Sequence, residues 1–243
     1  MKILCANRSG NVGKSTLARH LFAPRLGDAQ IVSVESINSD ESEDAAVRGE
    51  QFALIQELLL TVDTCIVDVG VSNFESFYEL MRKYAGSHED FDLFVVPTVP
   101  ESKQERDTVL TIKDLAALGV PPSKIVTLFN MIDRPEDLES KFQLLRAFHA
   151  DEKLFTLRRD AVVYSNPIYA TLRKMVPARS IIEIRDDKTD YKEALAAAIK
   201  DGASEDEKTR LKSLIATKRL ATGVCNELDL AFKAVTRKSK TGE

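Results

Sequence analysis

The sequence predicts an α/β protein with a doubly wound, mostly parallel sheet and additional helices at its carboxyl end. Its short apolar runs are rich in Ile and Val and are continuous rather than alternating, as in strands that are covered on both faces. Helical patterns lie between these runs, and a glycine-containing segment follows the first run directly. With 243 residues, of which 44% are hydrophobic, the chain is long enough to bury a sizeable core.

The apolar runs and the helical patterns alternate along the chain. The predicted strands are residues 2–6, 30–35, 64–69, 91–97, 124–130 and 161–165. The predicted helices are residues 15–22, 44–60, 74–84, 101–118, 136–147 and a helix from 166 or 167 to 175. In sheets of this class ligands bind at the carboxyl ends of the strands, so the functional residues are expected there.

The last part of the chain differs in character, because a polar break at residues 186–190 precedes two helical patterns at 191–200 and 205–235. We expect residues 1–185 to form the main α/β domain and residues 186–243 a helical extension packed on it, with a tail that can be disordered. The second pattern carries a narrow apolar stripe. Its positions are Leu211, Leu214, Lys218, Ala221, Cys225, Leu228, Phe232 and Val235. The stripe fits either a helix laid back on the domain or a helix that binds a partner.

The segment after the first apolar run has the composition of a phosphate-binding loop. Its candidate nucleotide-binding residues are Gly10, Asn11, Val12, Gly13, Lys14, Ser15 and Thr16. The two glycines can take positive φ, so that consecutive backbone N–H groups converge on a phosphate without a Cβ in the way. Lys14 would reach the β- and γ-phosphates, Ser15 would bind Mg²⁺, and the following helix would point its positive end at the same anion. The full motif has a further glycine at the position of Arg8.

A second signal follows the third strand. Residues 63–70 form a short apolar run that contains Asp68 and ends at Gly70, in the manner of a Walker B element. Asp68 would bind the Mg²⁺ shell through water, and Gly70 would let the next loop approach the γ-phosphate. The alternative is that Asp68 only caps the following helix near Asn73.

Composition excludes several other classes of protein. Three cysteines, at positions 5, 65 and 225, are typical of small core residues in a reducing compartment, and the three histidines are too scattered for a metal cluster. No apolar run approaches the ~18 residues of a membrane span, and the opening run is too short for a signal peptide, so a cytoplasmic protein is expected. The net charge of −4 gives no overall attraction to nucleic acid. Residues 212–240 carry seven basic and two acidic side chains, which could contact DNA phosphates or an anionic membrane surface, or form a solvated helix face.

The order of these motifs resembles the ParA/MinD group of P-loop ATPases over about residues 1–180. Within that group, residues 7–20 and 32–38 look most like the plasmid stabilisation proteins of the StbB type. The resemblance implies ATP and Mg²⁺ as ligands, a homodimer, a DNA-binding companion protein and a role in plasmid stabilisation or DNA positioning. It also places Asn130 where the family has an asparagine that contacts the base, although a turn or cap before Asp133 is equally compatible with the sequence.

The chain departs from the family at two positions that concern hydrolysis. The family's signature lysine, which reaches across the dimer, is Ser9 here, and the adjacent Arg8 is a candidate replacement for its charge. Family members carry an aspartate pair after the second strand, where this chain has Glu35, the candidate catalytic carboxylate, and then Ile37. Nucleotide binding needs only Lys14, Ser15, Asp68 and backbone amides, so it is better supported than fast hydrolysis.

Three functions therefore stay open at the level of sequence. The first is a ParA-like switch that binds ATP and hydrolyses it slowly, with Lys14, Asp68 and Glu35 as its catalytic residues. The second is a P-loop kinase or biosynthetic enzyme that acts on a small molecule. An acceptor clamp of arginines would support that function, but Arg158-Arg159 is the only close pair in the central half of the chain. The third is a nucleotide-binding adaptor without turnover.

Overall fold

A computed structural model describes residues 1–27, 29–34, 44–134 and 137–238. Among these residues, six strands form one sheet in the order β2-β3-β1-β4-β5-β6, and all of the neighbouring pairs are parallel. The strands are β1 (Lys2–Cys5), β2 (Gln30–Val34), β3 (Cys65–Val69), β4 (Leu93–Thr98), β5 (Ile125–Ile132) and β6 (Val162–Tyr164). The predicted α/β fold with a parallel sheet is confirmed.

Ten α-helices are assigned within the described residues. They are α1 (Lys14–Leu17), α2 (Asp44–Thr61), α3 (Phe74–Lys83), α4 (Ser102–Ala117), α5 (Leu138–Lys141), α6 (Gln143–Glu152), α7 (Ile168–Leu172), α8 (Ile181–Asp186), α9 (Tyr191–Lys200) and α10 (Glu205–Thr236). The helix predicted to begin at Ser15 continues past α1 as a π-helical turn, Ala18–Phe22.

The strand order reverses at β1. The chain passes from β1 to β2 and then inserts β3 between them, whereas β4, β5 and β6 are added on the other side of β1. Such a reversal opens a crevice at the carboxyl end of the central strand, where ligands of this fold class bind. The loop that follows β1 therefore starts at this crevice.

The strands nearest to β1 lie in a continuous apolar core. Every residue of β3 and β4 is buried, in agreement with the continuous apolar runs of the sequence. Aromatic side chains fill the layer beneath the helices, for example Phe91 against Phe94 with ring centroids 5.4 Å apart. The three cysteines are free and buried, as predicted.

The helix predicted over residues 136–147 is wrong, because the structure has two helices there, α5 and α6, with a break at Phe142. Phe142 has φ −116° and ψ 49°, outside the helical region, and its ring is fully buried with its centroid 4.6 Å from that of Phe129. Burial of this large ring against β5 outweighs the weak propensity for a continuous helix.

Two compact units make up the described chain. The first contains residues 1–165 together with the carboxyl-terminal residues from 230 onward, and the second contains residues 166–229. In the first unit the end of α10 is fixed by Arg158, whose Nη1 donates to the carbonyls of Ala234 and Val235 at 2.5 and 2.9 Å. The domain boundary expected after residue 185 stays a prediction.

The second unit includes α8, which the sequence reasoning missed. Ser180 accepts from the backbone N–H of Glu183, and Glu183 accepts from that of Ser180, which is a capping box. Lys218, the one charged residue of the predicted stripe on α10, donates from Nζ to the carbonyls of Asp187 and Thr189. Its place in an apolar stripe is therefore explained by the two carbonyls that it satisfies.

Candidate nucleotide-binding site

Residues from the ends of β1 and β3 meet at the crevice. Asp68 of β3 lies opposite Cys5 of β1 in the parallel register, so it is next to the point where the glycine-containing loop begins. Asp68 is 5% exposed. The structure thus brings together the two motifs that the sequence predicts to share a ligand.

The loop turns through two residues with positive φ. Gly13 has φ +85°, as expected, but the second such residue is Asn11 at φ +58° and not Gly10, which is a correction to the sequence analysis. Asparagine tolerates this region better than most residues, so the curl of the loop does not require glycine at position 10. A Cβ on Gly10 would lie in ordinary contact with Val71, 3.7 Å from its Cγ2.

Gly13 is required by a close approach as well as by its φ. An added Cβ would overlap with the side-chain nitrogen of Asn130 and would lie 3.3 Å from Cε of Met131. Asn130 Nδ2 donates to the carbonyl of Val12 at 2.8 Å. The loop is therefore seated against the end of β5.

Asn130 is aimed at the loop by an irregularity in β5. The pairing of β5 with β6 shifts between Phe129 and Ile132, and Met131 takes φ +57°. Such bulges redirect side chains at the ends of strands. Because Asn130 lies inside β5, the alternative of a turn or cap before Asp133 is not what the structure shows, whereas the base contact stays a prediction.

Lys14 points back into its own loop. Its Nζ donates to the carbonyls of Asn7 at 3.2 Å and Ser9 at 3.0 Å, and the residue is 7% exposed. Burial lowers the pKa of Lys14, and the negative charge of Asp68 opposes that shift. An ammonium group is thus held in a largely dry position beside a carboxylate.

Asn7 is a residue of this site that the sequence reasoning missed. It is fully buried, and its Nδ2 donates to the carbonyl of Pro97 at 2.8 Å and to the hydroxyl of Thr108 at 2.9 Å. Its Oδ1 accepts from the N–H of Ser9 at 2.7 Å. A buried polar residue directly after an apolar strand is the signal that could have identified it, because such a group needs partners.

Arg8 is paired with acidic side chains of two helices. Its Nε donates to Asp114 of α4 at 2.5 Å and its Nη1 to Glu75 of α3 at 3.0 Å, and Asp114 raises the pKa of the guanidinium. Both ion pairs of Arg8 thus lie within one chain, and its role as a replacement for the charge of the signature lysine stays a prediction. Ser9 is itself buried.

The loop after β3 is tied to the end of β2. The N–H of Gly70 and the Nδ2 of Asn73 both donate to the carbonyl of Val34, at 3.1 and 2.8 Å. Asn73 occupies the N-cap position of α3, so Asp68 is not the cap of this helix. Glu35, the candidate catalytic carboxylate, and Ile37 lie outside the described residues.

The residues present fit a magnesium nucleotide. The positive φ of Asn11 and Gly13 curls the loop, and consecutive backbone N–H groups in such a turn suit a phosphate. Lys14 offers a positive charge, Ser15 is exposed at the start of α1 with a hydroxyl, and Asp68 supplies a hard oxygen donor of the kind Mg²⁺ prefers. Within the described residues no cluster of His, Cys, Asp and Glu suggests a different metal site.

Two basic side chains among residues 212–238 make contacts within the chain. Arg237 forms a two-pronged ion pair with Asp160, with distances of 2.6 and 3.1 Å, and Lys218 is engaged with backbone carbonyls. A direct contact with DNA would therefore have to use the remaining cations of this segment. Among the described helices, none has both the length and the apolar character that a membrane span requires.

Comparison with known proteins finds similarity only at the level of structure. No protein-family profile and no curated protein matches the sequence. The MinD cell division protein of Aquifex aeolicus is 12% identical, with 91% of this chain and 97% of that chain covered and a TM-score of 0.49. The MinC:MinD complex of the same organism gives 13% identity, coverage of 70% and 83%, and a TM-score of 0.48. A Cyanothece McdA variant in complex with ATP gives 12% identity, coverage of 94% and 96%, and a TM-score of 0.46.

At these identities and scores the similarity carries no argument about this chain. It assigns no role to any residue of the present protein.

Proposed function

We propose that this chain is an ATP-binding switch protein of the ParA/MinD kind, closest to the StbB type, that acts in plasmid stabilisation or DNA positioning. It would bind ATP with Mg²⁺, form a homodimer and work with a DNA-binding companion protein. The observation that carries the proposal is the position of Lys14, which is held by two carbonyls of a loop with positive φ at Gly13, beside Asp68 at the switch point of the sheet.

The proposed roles follow from the chemistry of these residues. Backbone amides of residues 10–13 and the ammonium of Lys14 would bind the phosphates, and exchange of the carbonyls of Asn7 and Ser9 for phosphate oxygens would turn Lys14 toward the ligand. Ser15 and Asp68 would hold the Mg²⁺, which neutralises phosphate charge. Asn130 supports the loop and would contact the base only with groups that do not bind Val12.

Two observations favour slow hydrolysis over fast hydrolysis. Ser9 stands where the family has its signature lysine, and the nearby cation, Arg8, is paired within its own subunit with Asp114 and Glu75. Transition-state charge on the transferred phosphoryl group therefore has fewer cations to stabilise it. The same observations support an adaptor that binds nucleotide without turnover as the second candidate.

A small-molecule kinase is less well supported. The pair Arg158-Arg159 would be the natural clamp for an anionic acceptor, but Arg158 binds the carbonyls at the end of α10 and Arg159 pairs with Glu139 at 2.7 Å. Neither guanidinium is held ready for a second substrate.

The products of ATP distinguish a switch, a kinase and an adaptor. ADP and inorganic phosphate should be measured in the same reaction, with and without double-stranded DNA. A switch releases one phosphate per ADP and does so faster with DNA or a partner protein, whereas a kinase forms ADP in excess of phosphate when its acceptor is present. An adaptor forms neither product.

Asp68→Ala tests the metal site within the same proposal. The variant should lose ATP affinity in the presence of Mg²⁺ but keep most of the affinity measured with a chelator, because the proposed role of the Asp68 carboxylate is in the metal shell. An equal loss of affinity in both conditions would show that Asp68 is structural.

A further inference from the structure

Three side chains of α4 contact the start of the phosphate-binding loop at successive helical turns. The hydroxyl of Thr108 accepts from Asn7 Nδ2 at 2.9 Å, that of Thr111 accepts from the N–H of Arg8 at 3.0 Å, and Asp114 accepts from Arg8 Nε. The spacing of three residues places them on one face of the helix. The loop is therefore fixed to α4 along two turns.

Arg8 extends this attachment to a second helix. Its Nη1 donates to Glu75 of α3 at 3.0 Å, and its guanidinium carbon lies 5.3 Å from the ring centroid of Phe74. The Arg8 side chain is 30% exposed and that of Asp114 is 21% exposed, so their ion pair is partly shielded from water. Such charge-assisted contacts are stronger than those between fully exposed groups.

The position of Arg8 in the chain connects these contacts to Lys14. The two carbonyls that hold Lys14 belong to Asn7 and Ser9, which are the neighbours of Arg8 on either side. Any shift of Arg8 moves one or both of these carbonyls. The position that Lys14 takes in the loop without a nucleotide thus depends on contacts made by α3 and α4.

We propose that Arg8 is a positioning residue, which holds the phosphate-binding loop against α3 and α4 within one subunit and so couples nucleotide binding to these two helices. This proposal rests on the proposed function, because the ligand of the loop is ATP. It differs from a role in trans, in which Arg8 would leave Asp114 and touch the nucleotide of a second subunit.

The two roles of Arg8 make opposite predictions for Asp114. If Arg8 positions the loop through Asp114, then Arg8→Ala, Asp114→Ala and the double variant should weaken ATP binding by similar factors. We expect about tenfold for each, which corresponds to about 1.4 kcal/mol, since residues in one network are strongly non-additive. If Arg8 acts directly on a nucleotide, Asp114→Ala should leave the affinity unchanged or increase it, because it frees the arginine.

Calorimetric titration of ATP with Mg²⁺ is the first measurement, at protein concentrations where sedimentation shows a monomer. Arg82→Ala is the matched control, because Arg82 forms an exposed ion pair with Glu79 on the same helix α3 and should leave ATP affinity unchanged. Arg8→Lys should recover only part of the affinity, because an ammonium cannot reproduce the forked contacts to Asp114 and Glu75. The proposal would be overturned if the losses of ATP affinity in Arg8→Ala and Asp114→Ala add up in the double variant. It would also be overturned if Arg8→Ala weakens ATP binding and Asp114→Ala does not.

Amide hydrogen exchange without nucleotide gives a second, independent readout. Arg8→Ala should increase exchange of the amides of residues 8 and 9, which donate to Thr111 Oγ1 and Asn7 Oδ1, whereas Arg82→Ala should not. Unchanged exchange in the loop would overturn the proposal even if the fold is intact. A wild-type protein that binds no ATP rejects the proposed function, and the exchange measurement then decides the role of Arg8 separately.

Discussion

Replacement of Gly13 by alanine tests how the phosphate-binding loop packs against Asn130. Two costs are expected. Alanine at φ +85° is strained by about 1–2 kcal/mol, in part offset by the lower freedom of the unfolded chain. The new Cβ also displaces the amide of Asn130, and loss of its buried hydrogen bond to Val12 costs about 1–3 kcal/mol more. Gly13→Ala should therefore destabilise the protein by about 2–5 kcal/mol.

Gly27→Ala is the matched control. Gly27 has a similar φ of +67°, and a Cβ there would meet nothing within 4 Å, so only the backbone strain applies. The double variant Gly13→Ala/Asn130→Ala should be more stable than the sum of the single variants predicts, by about 1–3 kcal/mol. The reason is that the shorter side chain at position 130 no longer overlaps with the new Cβ at position 13.

Urea unfolding followed by far-ultraviolet circular dichroism is the suitable assay, since the chain has no tryptophan. The packing of Asn130 on the loop would be refuted if Gly13→Ala and Gly27→Ala lower the free energy of unfolding equally. It would also be refuted if the losses of the two single variants add up in Gly13→Ala/Asn130→Ala.

Two further predictions concern the carboxylates of Glu105 and Asp187. Glu105→Ala should lower the free energy of unfolding in urea by about 1–3 kcal/mol, because buried Glu105 accepts from the N–H of Leu145 in the first turn of α6. Glu105→Gln should lower it less, because the amide oxygen can still accept this hydrogen bond. Equal losses for the two variants would contradict this role of Glu105. Hydrogen bonds from Tyr191 and then from other donors, Arg179 included, lower the pKa of Asp187. Because the pKa is lower in the folded protein, this stabilisation is present above about pH 4 and is lost as the pH falls toward the folded-state pKa. The stability difference between the wild type and Asp187→Asn should shrink below about pH 4 in acid unfolding, and a constant difference would speak against it.

Much of the fold could be predicted from local patterns. Strands such as β3 are continuous apolar runs between polar segments, and a parallel sheet with helices on both faces is the architecture that buries them. The same reasoning placed Asp68 beside the loop, because adjacent parallel strands end at one edge of the sheet.

The errors arose where a tertiary contact outweighs a local preference. The break at Phe142 depends on the ring of Phe129, which lies on another element. The sequence also did not predict the pairing of Arg8 with Asp114, which joins residues that are 106 positions apart. The capping box at Ser180 and Glu183 was readable from the sequence, and it marks the described α-helix that was missed.

The most direct test of the central claim is calorimetric titration of the protein with ATP in the presence of Mg²⁺. The wild type should bind at one saturable site per chain, and Lys14→Ala should remove this binding with an unchanged far-ultraviolet spectrum, because the ammonium is proposed to turn from the carbonyls of Asn7 and Ser9 to the phosphates. Lys200→Ala, an exposed substitution on α9, should bind as the wild type does. Unchanged ATP affinity in a folded Lys14→Ala variant would contradict the assignment of the loop.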